Sequence, residues 1–174
     1  MKKFVITIFT ILITYNCISQ NKSYKNIRLN DNIINISFLC SFPSNKSYDE
    51  FLQERGYSFK ASQRSQDKNK YLSILKYKNK IKDDIYQLDL YKEKILYAVY
   101  ISNNENEYKS MLNFLKKTNF KYTSTDTSIP NEISTVYSNR DVTLIFTKRG
   151  ITNDFKYSIQ ASNNARIYEY NHSQ

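Results

Sequence analysis

The sequence predicts an α+β fold in which two tandem β-α-β-β-β units each pack one helix on antiparallel sheet, either as separate sheets or as one continuous sheet. Three observations predict it. Short segments alternate apolar and polar residues at the period of a strand and are bounded by polar loops. Two stretches carry apolar residues at helical spacing. Phe51, Leu52, Gly56, Tyr57 and Phe59 match Phe114, Leu115, Asn119, Phe120 and Tyr122 at a constant offset of 63 residues. The same offset carries Ile34, Ile36 and Phe38 onto Tyr97, Val99 and Ile101. A fixed offset of this kind makes each copy one supersecondary module.

Residues 1–19 read as a secretory signal peptide: Lys2 and Lys3 precede an apolar run from Phe4 to Ile13. That run is half the length of the ~20 apolar residues a membrane span needs. Cys17 and Ser19 place small side chains three and one residues before a cut at Gln20, so the mature chain is expected outside the cytoplasm, periplasmic or secreted. The rival is lipidation at Cys17, which would tether the protein to a membrane. Tyr15 and Asn16 stand against it, because a lipoprotein signal has small residues there.

The first unit is expected over 33–92. It opens with a strand in which Ile34, Ile36, Phe38 and Cys40 alternate with Asn35, Ser37 and Leu39. Cys40 ends that apolar face and behaves there as a small buried hydrophobe. Ser47 and Glu50 form a capping box, and Tyr48, Phe51, Leu52 and Arg55 share one face of the helix that follows. Gly56 supplies the left-handed residue that stops it. Strands are expected near Tyr57–Ser62, Tyr71–Lys78 and Ile85–Tyr91, with loops over Gln63–Lys70 and Asn79–Asp84.

The second unit is expected over 94–162. Its opening strand, Lys94–Ile101, is apolar on both faces, as befits a strand at the junction of two units with protein on each side. The competing reading leaves Tyr100 in an exposed aromatic patch that binds a partner. Asn104 and Glu107 start a helix whose Tyr108, Met111, Leu112 and Leu115 share a face, and Asn119 takes the place of Gly56. Strands follow near Phe120–Thr125, Ile133–Ser138, Asp141–Lys148 and Phe155–Ala161. Residues 163–174 read as a frayed polar tail holding the single histidine, His172.

The chain has 174 residues, with 40% hydrophobic and 24% charged, and its 16 Tyr and 10 Phe supply the apolar surface that a disordered chain lacks. Two glycines and two cysteines leave no Gly-rich phosphate loop, Cys-x-x-Cys or His-x-x-x-His spacing, so no cofactor, metal or catalytic residue is expected. Acid clusters at Asp83 with Asp84, Asp89 with Glu93, and Glu105 with Glu107 are what a two-carboxylate hydrolase would have to draw on. Glu105 and Glu107 also suit the first turn of a helix, where acids are favoured by the dipole.

The net charge is +10. Loss of the leader leaves 24 basic against 16 acidic side chains, or +8. Abundant Lys, Asn, Ile and Tyr, all with A/T-rich codons, account for much of that balance. Lys76, Lys78, Lys80 and Lys82 recur every second residue around Tyr77, and in one extended segment they would line a face suited to an anionic polymer. Asn79 and Ile81 instead predict a turn that breaks the face and leaves a charged edge. The expected function is an exported non-catalytic binding module of the bacterial cell envelope, holding a protein or an anionic envelope polymer. The alternative is an envelope hydrolase with a carboxylate pair. Export argues against nucleic acid as a target, and membrane contact follows only from lipidation at Cys17.

Overall fold

The computed structural model describes residues 47–67, 70–150 and 156–173, together with Ile36, Leu39 and Cys40, all within the compact unit Asn32–Gln174. The leader, Cys17, Ile34, Phe38 and the side chain of Ser47 lie outside the described residues. The elements run α1 (Ser47–Gln53), β1 (Tyr57–Asp67), β2 (Lys70–Asn79), β3 (Ile85–Tyr91) and β4 (Lys94–Ser102). They continue as α2 (Glu105–Leu115), β5 (Lys121–Asp126), β6 (Glu132–Ser138), β7 (Val142–Arg149), β8 (Tyr157–Asn163) and α3 (Asn164–His172).

The eight strands form one antiparallel sheet in the order β1-β2-β3-β4-β8-β7-β6-β5. The α+β class therefore stands. β4, expected to open the second unit, follows three strands that pair in sequence, and β8 occupies the corresponding place at the end of the chain.

Cross-strand partners share a face of a sheet. The pairs Tyr77↔Tyr86, Tyr86↔Tyr100, Tyr100↔Ile159 and Phe146↔Ile159 place those residues together on one face. Tyr48, Phe51 and Leu52 of α1 and Met111 and Leu115 of α2 pack in the same buried cluster. On the opposite face α3 packs Ile167 and Tyr170 against Leu72, Tyr91, Leu96 and Tyr97, at the β3–β4 hairpin end. Elsewhere no described element covers this second face. Among the described residues β4 is thus covered on both sides only near that hairpin, where the register shift at Asp89/Leu90 turns Ile95 to one cluster and Leu96 to the other.

Four expectations are corrected. Ile36 and Leu39 are helical rather than extended, and the Cys40 amide donates to the Ile36 carbonyl at 3.3 Å, an i→i+4 bond. Fully buried side chains at 36, 39 and 40 fit that helical spacing. β1 continues through Gln63–Asp67, where a loop was expected, because backbone pairing with β2 needs no apolar side chains at an edge. Asn119 stays out of the left-handed region that Gly56 occupies at φ 80°. α2 instead ends at Leu115 with Lys116 as its C-cap, and beyond it the Thr118 hydroxyl donates to the Leu115 carbonyl at 2.7 Å and accepts from the Phe120 amide. The polar tail forms α3, capped by Asn163 and anchored by buried Tyr170.

Candidate functional site

Two places gather polar side chains in a way that bears on function. The first is the open face. Across its middle runs the row Lys76↔Gln87↔Val99↔Gln160↔Ile145↔Val136, all half-buried. On the β8, β7 and β6 side this row is flanked by hydroxyls, Ser162, Thr143 and Ser138 above it and Ser158, Thr147 and Ser134 below it. Ser134 and Thr147 bond to each other at 2.9 Å, and Arg149 joins Glu132 at 2.8 Å and Ser158 at 3.1 Å. The β2–β4 side is different. There Ile74, Asp89 and Tyr97 align, with Lys78, Ile85 and Ile101 on the other flank. Gln87 donates to Asp89 at 2.9 Å, yet desolvation dominates and raises the Asp89 carboxyl above its ordinary range against the pull of Gln87 and Lys76.

The second place is buried beneath α2. Asn104 caps that helix, accepting from the amides of Asn106 and Glu107 at 3.1 and 3.2 Å. The cap fixes Glu107 in the first turn, over the sheet. The Tyr100 hydroxyl meets Glu107 Oε2 at 2.6 Å and Asp84 Oδ2 at 2.5 Å. Asp84 is 1% exposed, and among the described residues its Oδ1 has no hydrogen-bond partner. The rings of Tyr57, Tyr86 and Tyr100 line up beside it, with centroids 4.8 and 5.2 Å apart. Burial first, and then the two acids, push Tyr57 and Tyr100 well above their ordinary range, and at Tyr86 burial is followed by Tyr57 and then by the acids.

No family model, curated protein or solved structure matches the chain.

The four lysines fall on two different elements. Lys76 and Lys78 are on β2 and face the open side, whereas Lys80 and Lys82 lie in the β2–β3 turn. Asn79 makes that turn, its side chain accepting from the amides of Ile81 and Lys82 at 2.8 and 3.0 Å. Acids neutralise two of the four: Lys78 contacts Asp83 at 2.5 Å and Lys82 lies 4.0 Å from Glu107. Tyr77 points the other way, 2% exposed in the core. Tyr100, also 2% exposed, is no surface patch; its pairing with Tyr86 and the acids turn it inward. Cys40 is free and fully buried, its thiol donating to the Ala161 carbonyl at 3.1 Å and pushed up to about 12 by burial.

Sequence reasoning missed the pairing of Asp84 with Glu107, since it grouped acids by nearness in sequence. A tyrosine at a core position was the available signal, because a buried phenol needs a polar partner. Among the described residues, no helix is long and apolar enough to cross a membrane and no group of three or more His, Cys, Asp or Glu could hold a metal. His172 is exposed on α3, its ring stacked on Tyr168 and its Nδ1 against the Tyr168 carbonyl at 2.8 Å.

Proposed function

We propose that this chain is an exported, non-catalytic binding module of the bacterial cell envelope that holds a protein partner on the open face of its sheet. The observation that carries the reading is the one-sided packing of α1 and α2. Eight strands present a broad face of half-buried Ser, Thr, Gln, Val and Ile side chains, and among the described residues no helix lies over most of it. A mixed aliphatic and hydrogen-bonding surface of that kind suits the core and rim of a protein interface. An anionic envelope polymer is the weaker partner, because Lys78 and Lys82 already face acids.

A hydrolase reading would rest on Asp84 and Glu107. Their meeting point lies in the core, and the cavity beside Tyr100, lined by Ser102, Asn104, Tyr108 and Tyr157, has a volume of about 10 Å³. That is room for a single water and not for a substrate. Export rests on the leader, Lys2 to Ser19. We also read the two halves, each a helix followed by four strands, as a tandem duplication. Lys94 and Tyr157, which begin β4 and β8, stand 63 residues apart, as do Leu52 and Leu115 on the two helices.

The test is affinity capture from native envelope extract with the mature chain, beside Val99→Arg with Ile145→Arg on the open face and Lys80→Gln with Lys82→Gln in the turn. The expected outcome is one defined protein retained by the wild type and the turn variant and lost by the folded open-face variant. Retention by the open-face variant, or capture of nothing specific, overturns the reading.

A further inference from the structure

β1 and β5 are the two edges of the sheet, and each carries a bulge. The shift between Phe59 and Ala61 leaves Lys60 unpaired, and the shift between Tyr122 and Ser124 leaves Thr123 unpaired. Lysine guards an exposed edge against other strands, whereas threonine does not. β5 also lacks proline, all six of its residues are exposed, and among the described residues β6 is its one neighbour in the sheet. Its outer backbone groups are open to a further strand. We propose that this strand is the β5 of a second copy, so that two chains pair edge to edge, antiparallel about a two-fold axis, with Lys121 of each opposite Asp126 of the other.

The bulge selects that register. Partners in an antiparallel pair share a face, and in a strictly alternating strand Lys121 and Asp126 would point to opposite faces and could not meet. One extra residue between them reverses the alternation. Lys121 pairs with Ser138, Ser124 with Val136 and Asp126 with Ser134, which puts all three on the open face. The Thr123 hydroxyl is there too, 3.0 Å from that of Ser138. Tyr122 and Thr125 lie on the helix-bearing face, across from Tyr137 and Thr135. With the axis between Thr123 and Ser124, Lys121 meets Asp126, Tyr122 meets Thr125 and Thr123 meets Ser124 of the second copy. Every pair then shares a face.

Charge favours a second copy as the occupant. Among the described residues Lys121 has no acid within ion-pair distance on its own chain, and the pairing supplies one on each side of the axis. Asp126 is held for this by the Ser128 amide, which donates to Oδ1 at 2.8 Å. The same construction on β1, with the axis between Lys60 and Ala61, would bring two Lys60 ammonium groups together with no acid in the paired residues. A two-fold axis through the sheet also keeps the faces in order. The open faces of the two copies run on into one surface, and the pairing holds whatever that surface binds.

The experiment is sedimentation equilibrium of the mature chain over a range of concentrations, beside Lys121→Glu, Asp126→Lys and Thr123→Lys, each checked for folding by circular dichroism. The wild type should pass from one copy to two as concentration rises. Lys121→Glu sets acid against acid and Asp126→Lys sets base against base, so each should weaken the dimer about tenfold. Mixed in equal amounts, these two variants should pair with each other, because each carries the charge the other lacks. Thr123→Lys puts a lysine where β1 has one and should weaken the dimer as well. In the wild type, amides of β5 and not those of β1 should exchange more slowly as concentration rises, a readout that needs no variant. A single copy at every concentration overturns the proposal. So does a dimer that the charge variants leave unchanged, a mixture that pairs no better than its components, or a dimer lost in Val99→Arg with Ile145→Arg, which would place the contact on the open face.

Discussion

The two outer hairpins of the sheet are built differently. β1 and β2 bury Tyr57 and Tyr77 in the cluster that also takes Tyr48, Phe51 and Leu52 of α1, and β2 buries Leu72 on the opposite face against α3. β5 and β6 fully bury no side chain: β5 is exposed throughout, Tyr122 and Ile133 are 61% and 51% exposed, and Tyr137 on β6 only half-buries against the core. The two helices account for the contrast. α1 is short and packs beside β1, whereas α2 lays Tyr108 over Phe146 and Tyr157, on β7 and β8, and stops short of the far edge. What remains at β5 is ladder hydrogen bonding with a few cross-strand contacts, such as Tyr122 on Tyr137 at 6.1 Å and Thr123 with Ser138 at 3.0 Å. Burial thus falls away from the centre toward one side.

That contrast is breakable by mutation. Leu88→Ala empties a fully buried site on β3 and should cost about 3 kcal/mol in denaturant unfolding. Ile133→Ala on β6 removes a half-exposed side chain and should cost under about 0.5 kcal/mol. Equal losses would mean that β6 is covered in a way its exposure does not show. Amide exchange reads the same gradient locally. Amides of β5 and β6 should open at least about tenfold more often than those of β4 and β8, because outer elements with few buried contacts open below the global free energy. Uniform protection would make the sheet a single cooperative block.

The smallest effect concerns the open face. Asp89 is a partly desolvated carboxylate on β3, whereas the matching positions on β7 and β8 hold Thr143 and Ser162. Its folded-state affinity for a proton is raised, so its charge weakens the fold as pH rises through the carboxyl range. Asp89→Asn should gain nothing in acid and become slightly more stable than wild type at neutral pH, as seen in paired melting curves. An unchanged difference between acid and neutral pH would show that Gln87 and Lys76 fully offset the desolvation.

Period-two alternation made the strands legible. Ile85–Tyr91 is found as expected, and the other strands shift by a few residues. Where the alternation misled, another period fitted the same residues. Ile36 and Cys40 are two repeats apart on a strand and one turn apart on a helix, and the helix won. α3 escaped notice because its polar residues conceal Ile167 and Tyr170 at i,i+3 spacing. The candidate site was less legible still. Lys76 to Lys82 carried a pattern that the Asn79 turn divided, and Asp84 and Glu107 meet only because β3, β4 and α2 converge on Tyr100. Nothing in linear spacing announces such a convergence.

The central place of β8 bears on how the chain comes to fold. β8 pairs with β4 on one side and β7 on the other, and it is the last strand in the sequence. β1 to β4 can zip as successive hairpins while the rest of the chain is still emerging, and β5 to β7 can do the same. Neither group can join the other until residues 157–163 arrive, and the joining contact closes a long loop, which is a slow step. Until then β4 and β7 each leave a row of backbone N–H and C=O groups unpaired. The late-arriving strand thus times the closure of the whole sheet.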